Sequence, residues 1–131
     1  MERIAIVGSR GYSDLEAVRR YIRGLPKNVT ILSGGAPGVD RAAEREARRL
    51  GLHVVIYRAD WDKLGRGAGI VRNGTIVENC DRVVAFHDGV SRGTQNTIFR
   101  AQRAGKPVEV IRAPREIGPE VYLARPKSVG G

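Results

Sequence analysis

Cysteine is nearly missing from this sequence. Cys80 stands alone among 131 residues, so neither a disulfide framework nor a cysteine metal site can be built. Histidine is almost as scarce: His53 and His87 are the two present, and neither has partners at metal-ligand spacing, so no metal is expected. Aromatic residues are few, with one Trp, two Phe and four Tyr scattered along the chain. That scarcity works against a surface on which successive nucleic-acid bases stack. No apolar run approaches membrane-spanning length and no signal-peptide pattern opens the chain, so a soluble, cytoplasmic protein without a membrane partner is expected. Negative charge is the minority, 14 Asp and Glu against 23 Lys and Arg, for a formal net charge of +9. Nineteen of the basic residues are Arg and four are Lys. Arginine favours planar, bidentate contact with phosphate or carboxylate, which fits an anionic ligand, although a basic balance also serves solubility alone. The charge is spread along the chain rather than gathered into an arm, which weakens a nucleic-acid reading.

Glycine is plentiful, and its placement is informative. Ser33-Gly34-Gly35-Ala36-Pro37-Gly38-Val39-Asp40 joins the β-branched run Val29–Leu32 to a helical pattern from Arg41 to Leu50. A strand that turns through glycines into a helix start can hold a phosphate with free backbone N–H groups and the positive end of the helix dipole. Pro37 suits a first helical position. The plainer alternative is a tight β–α connection without a ligand.

The remaining chain alternates short apolar runs with helical patterns. Strands are expected at Arg3–Val7, Val29–Leu32, Leu52–Tyr57, Arg82–Phe86 and Val108–Ile111. Ser13 and Glu16 have capping-box spacing before a helix that Leu25-Pro26 closes. Gly51 stops the second helix. Asp60–Gly69 reads as irregular, Ile70–Asn79 as helical, and Ser91-Arg92-Gly93-Thr94 opens a helix to Ala104. This alternation predicts an α/β protein of three layers, with about five parallel strands in the order 3-2-1-4-5. In such a sheet ligands bind outside the carboxyl ends of the strands where the order reverses. Gly8-Ser9-Arg10 and Asp88–Thr94 fall at that crevice, with Ser33–Asp40 beside them.

Four motifs occur in fixed order: Val7-Gly8-Ser9-Arg10, Ser33–Ala43, Gly65–Gly69 followed by Arg72-Asn73, and Ser91-Arg92-Gly93-Thr94. Together, over roughly Ile4 to Ile111, they resemble the SLOG superfamily of Rossmann-like nucleotide-binding domains, in its YspA/YpsA-related branch. The Ser33–Ala43 block is also similar to the corresponding loop of molybdenum-cofactor carrier proteins and of the DNA-processing protein A family. The resemblance implies a Rossmann-like nucleotide-binding domain, placed at residues 1–113, while Pro, Gly and isolated charges make residues 114–131 a partly flexible C-terminal extension. It also implies a homodimer. In the LONELY GUY phosphoribohydrolases of this superfamily the late motif carries a carboxylate two residues after its threonine; here Gly93-Thr94 is followed by Gln95 and Asn96. An amide at Asn96 can hydrogen-bond a ribose but cannot serve as a base. Arg72 matches a functional arginine of those enzymes.

The expected ligand-binding set is Gly8, Ser9, Arg10, Ser33, Gly34, Gly35, Ala36, Gly38, Val39, Asp40, Arg72, Asn73, Ser91, Gly93 and Thr94. Several have ordinary structural explanations beside the functional one. Asp40 could simply stabilise a helix start, Ser91 could be an N-cap, and Asp88-Gly89 is a common turn pair. Trp61 reads as a base platform or as a loop anchor, His87 and Cys80 as structural residues, and Arg66 as a binding residue of the irregular connection or as solvated. No catalytic residue is identified; Arg72 and Asp88 are the candidates. No cofactor is identified beyond a nucleotide-derived ligand. Three functions stay open: a sensor or carrier binding a small phosphorylated ligand, a hydrolase of an N-glycosidic or phosphate bond, and a single-stranded nucleic-acid binder.

Overall fold

The computed structural model describes residues 1–114; the expected C-terminal extension lies, but for its first residue, outside them. Five strands form one parallel sheet: β1 Glu2–Gly8, β2 Val29–Ser33, β3 His53–Ile56, β4 Arg82–His87 and β5 Val108–Arg112. Their order is β3-β2-β1-β4-β5, as the alternation of the sequence predicts. The helices are α1 Leu15–Arg23, α2 Val39–Arg49, α3 Trp61–Leu64, α4 Ala68–Asn79 and α5 Arg92–Arg103.

The two sides of the sheet are separated by the period-two alternation of strand side chains. Ile4, Ile6, Ile31, Val84 and Phe86 point into a core closed by Val18 and Ile22 of α1 and Val39, Ala43 and Ala47 of α2. Ala5, Val7, Leu32, Val83 and Ala85 point the other way, against Ile76 and Val77 of α4 and Ile98 and Ala101 of α5. With both faces covered, the inner strands read as continuous apolar runs rather than as alternating ones. β1 lies at the centre, pairing Ile4 with Ile31 on one side and with Arg82 on the other.

Several local expectations are corrected. The N-cap of α1 is Asp14, whose carboxylate accepts from Ala17 N; Ser13 lies one residue too early, and Glu16 instead pairs with Arg19 and Arg23. The helix ends at Arg23 with Gly24 as its cap, before Leu25-Pro26. Pro37 is not in a helix: α2 starts at Val39 after Gly38, whose φ of 88° is glycine territory. β3 is shorter than expected at each end. The stretch Asp60–Gly69 is less irregular than its glycines suggest. Asp60 caps the one-turn α3 by accepting from Lys63 N, Gly65–Gly67 is a 3-10 turn, and α4 begins at Ala68.

The end of α4 lacks a glycine cap, and a distant lysine replaces it. Lys106 Nζ donates to the carbonyls of Val77, Glu78 and Cys80 at 2.6, 3.1 and 2.7 Å. A cation at a helix C-terminus also meets the favourable end of the dipole. Lys106→Met keeps the apolar stem and loses these bonds, so chemical denaturation should show a loss of about 2 kcal/mol, the scale of a hydrogen bond to a charged group.

Candidate functional site

The carboxyl ends of β1 and β4 diverge at the reversal of strand order, and the loops leaving them are tied together. Ser9 Oγ accepts from Asp88 N at 3.1 Å and shares a hydrogen bond with Thr94 Oγ1 at 3.2 Å. Ser9 is fully buried and acts as a brace beneath the crevice. Gly8 serves the approach of α2. A β-carbon built there would stand 2.6 Å from Cβ and both methyl carbons of Val39, whose side chain is itself completely buried.

The glycine loop is organised differently from a bare-amide phosphate cradle. Three of its N–H groups are occupied: Asp40 Oδ2 accepts from Gly34 N at 3.1 Å and from Ala36 N at 3.2 Å, and Ser33 Oγ accepts from Gly35 N at 3.4 Å. The first turn of α2 thus supplies its own anion to the loop before it. Asp40 is buried, its Oδ1 has no partner among the described residues, and burial pushes its carboxyl up from 3.8 to about 6. Those two backbone donors and the charge of Arg72 oppose that rise, while Glu44 adds to it. Beneath the loop, Ser33 Oγ donates to Glu44 Oε2 at 2.6 Å, both residues buried. Ser33 therefore faces α2, not the crevice.

The loop glycines make room for arginines of the same chain. A β-carbon on Gly34 would lie 2.5 Å from Arg72 Nη1, and one on Gly35 would lie 3.0 Å from Arg58 Nη1. Gly38 would press against the backbone of Arg10, with Arg10 O at 2.9 Å. Arg72 Nη1 donates to Gly34 O at 2.5 Å and its Nε donates to Asn73 Oδ1 at 3.2 Å, so the guanidinium is held rather than free to swing. Asn73 Nδ2 in turn donates to Asn96 Oδ1 and Gly93 O, linking α4 to the start of α5.

At that start Ser91 is the N-cap, accepting from Thr94 N. Asp88 Oδ1 accepts from Val90 N and Ser91 N, both at 2.9 Å, and these backbone donors hold its carboxyl below the usual range. The turn between β4 and α5 is therefore closed by its own acid, with Gly89 at φ 94°. His87 Nε2 shares a hydrogen bond with Gln95 Oε1, while its Nδ1 accepts from Gly89 N. Both ring nitrogens thus have structural partners. Burial pushes the Cys80 thiol up, away from reactivity.

A cleft of about 410 Å³ opens between these loops. Its walls include Gly8, Arg10, Ala36, Asp40, Arg66, Arg72, Asn73, Asp88, Ser91, Gly93 and Thr94, with Trp61 at one side. Gly34 and Gly35 line a neighbouring hollow of about 280 Å³ that shares Arg10, Ala36, Trp61 and Arg72 with the cleft and adds Arg41 and Arg58. Among the described residues, no carboxylate forms an ion pair with Arg10, Arg41, Arg58, Arg66 or Arg72. Asn96 lies elsewhere, in the groove between α4 and α5, where it also accepts from Arg100 Nε at 3.1 Å. Of the expected set, Ser9, Ser33, Gly38 and Val39 hold the loops in place without lining the cleft. Sequence reasoning missed Arg41, Arg58 and Glu44. Arg58 follows β3 at the same carboxyl edge, and Glu44 stands one helical turn after Asp40; strand-end position and i, i+4 spacing were the available signals.

A parallel sheet of this order, with glycine loops and arginines at its switch point, defines a Rossmann-like protein. The sequence profile of the YspA, cpYpsA-related SLOG family matches residues 2–64. The chain belongs to that family. It is 36% identical over 118 residues to the Gene 61 protein of Mycobacterium phage D29, covering 82% of this chain and 94% of that protein. Among solved structures it is similar to DNA processing protein A from Streptococcus pneumoniae, with a TM-score of 0.77 and 24% identity over 92% of this chain. The chain spans 53% of that protein's length. It is likewise similar to DNA processing protein A from Helicobacter pylori, whose structure concerns a single-stranded DNA binding mode. There the TM-score is 0.72 at 22% identity, with 89% of this chain and 67% of that one covered.

Proposed function

We propose that the cleft binds a nucleotide or nucleotide-derived phosphate ligand, and that the protein works as a sensor or carrier of it. The observation that carries this reading is the convergence of Arg10, Arg66 and Arg72 with the N-terminus of α5 around one cleft. Among the described residues these arginines have no carboxylate ion-pair partner; Arg72, held by Gly34 O and Asn73 Oδ1, keeps Nη2 for a ligand, and the first N–H groups of a helix add to the same attraction. Trp61, 53% exposed at the rim, offers a face to a base. Binding is favoured over bond cleavage because, among the described residues, the acids lining the cleft are Asp40 and Asp88, and each has one carboxylate oxygen committed to two backbone N–H groups of its own loop. Asn96 faces the α4/α5 groove and supplies no acid to it.

Calorimetry against nucleoside monophosphates tests this reading. At least one should bind in the micromolar range, and Arg72→Ala should weaken it by about a hundredfold, since two charge-assisted hydrogen bonds are at stake. The nucleotide should be recovered with its base attached. No binding by any monophosphate at millimolar concentration would remove the proposal.

A second reading, binding of single-stranded DNA, is favoured by the likeness to the Helicobacter pylori protein and by the row of arginines along the sheet edge. An oligonucleotide bound through phosphates should lose affinity steeply with added salt. Salt-independent or undetectable binding would exclude this second reading.

A further inference from the structure

The hollow beside the cleft is not required for a single phosphate, yet it is the more arginine-rich of the two. Arg10, Arg41, Arg58 and Arg72 reach it from four elements: the β1 exit, the first turn of α2, the β3 exit and α4. Arg10, Arg41 and Arg58 are exposed, and among the described residues none of them has a carboxylate partner. Asp40 acts on Arg72 alone of the four, so the converging guanidiniums carry an excess of positive charge that an anion relieves. Arg10, Ala36, Trp61 and Arg72 border both the hollow and the cleft, so the two are contiguous. Resting on the reading of the cleft as a nucleotide-phosphate site, we propose that the hollow is a second phosphate subsite and that the ligand carries a diphosphate. One phosphate lies in the cleft between Arg72 and the start of α5, and the next lies over Gly34–Ala36 between Arg41 and Arg58. The ratio of aromatic to basic residues selects this ligand over a nucleic-acid strand. Among the described residues Trp61 is the one aromatic side chain bordering either chamber, enough for a single base, whereas a strand needs a platform for each successive base.

The test compares AMP with ADP, and inorganic phosphate with pyrophosphate, by calorimetry on the wild type and on the Arg41→Ala/Arg58→Ala double variant. Both residues are exposed, so the substitutions spare the core. ADP should bind at least about tenfold more tightly than AMP, the scale of one added charge-assisted contact. The double variant should erase that preference and leave AMP affinity within about twofold. Equal affinities for ADP and AMP, or a preference that survives in the double variant, would overturn the subsite. If neither nucleotide binds but pyrophosphate exceeds phosphate in an Arg41- and Arg58-dependent way, the subsite stands and the nucleotide reading falls. If pyrophosphate fails to bind while an oligothymidylate binds through Arg41 and Arg58, the diphosphate assignment gives way to a strand. If none of these ligands binds at millimolar concentration, the subsite falls together with the nucleotide reading.

Discussion

Gly8→Ala should destabilise the protein by about 3 kcal/mol or more, the upper range for overpacking a closed core. The added methyl would stand 2.6 Å from three carbons of Val39, well inside van der Waals contact. Val39 cannot yield easily, because it is fully buried and its β-branched side chain is stiff within a helix. Relief requires the N-terminus of α2 to move away from β1. That movement carries Asp40 off the N–H groups of Gly34 and Ala36, so stability and loop geometry should fail together. Urea denaturation of the two proteins reads the first effect. A Gly8→Ala variant as stable as the wild type would show that α2 does not seat on β1 as described. Gly51→Ala gives no such clash, since nothing lies near its β-carbon position; its penalty comes from a φ of 77° and should be about 1 kcal/mol.

The second large effect is a stability that rises as pH falls from neutrality. Folded Asp40 holds its proton up to about pH 6, whereas an ordinary aspartate releases it near 3.8. Between those values the folded state binds more protons than the unfolded chain, so stability decreases with rising pH. Above the folded value the loss is complete and constant, at about 3 kcal/mol. The groups that set this balance are Arg72, Glu44 and the backbone donors of Gly34 and Ala36. Acids with the opposite behaviour limit the gain at lower pH. Glu46, bonded to Arg49 and Arg23, is lowered to about 2, and Glu16 and Asp88 are lowered as well. Their stabilisation is present above the unfolded carboxylate range and disappears as pH falls toward the folded values. Stability should therefore peak at about pH 5. Asp40→Asn retains an acceptor for the two N–H groups and has no proton to exchange. In that variant the slope between about pH 5 and 7 should vanish. An unchanged slope would mean that Asp40 is not the group responsible.

Much of the architecture was legible in the chain because it rests on long-range patterning. Continuous apolar strands such as Arg3–Val7 and Arg82–Phe86, separated by amphipathic helices, define a doubly covered parallel sheet whatever the details of its loops. The strand order followed from chirality, and with it the position of the crevice. Local terminations were less legible. Ser13 and Asp14 are both competent caps, and side-chain chemistry alone does not choose between neighbours one residue apart. The glycine loop shows the clearest limit. Its composition suggested amides open to a phosphate, but the sequence does not reveal that Asp40 folds back onto Gly34 and Ala36. Nor does it reveal that Gly34 and Gly35 are small so that Arg72 and Arg58 can lie against them. Those contacts join residues distant in sequence, and no local spacing encodes them. In the proposed reading the ligand is therefore assigned to guanidinium groups rather than to loop amides.

The most direct test is a titration of the isotope-labelled protein with a nucleoside monophosphate, followed by backbone and arginine side-chain NMR signals. The central claim predicts shifts at Arg10, Arg72, Gly93 and Thr94, with the amides of Gly34 and Ala36 retaining their hydrogen-bonded positions. Shifts absent at saturating nucleotide, or confined to surfaces away from the carboxyl edge of β1 and β4, would contradict it.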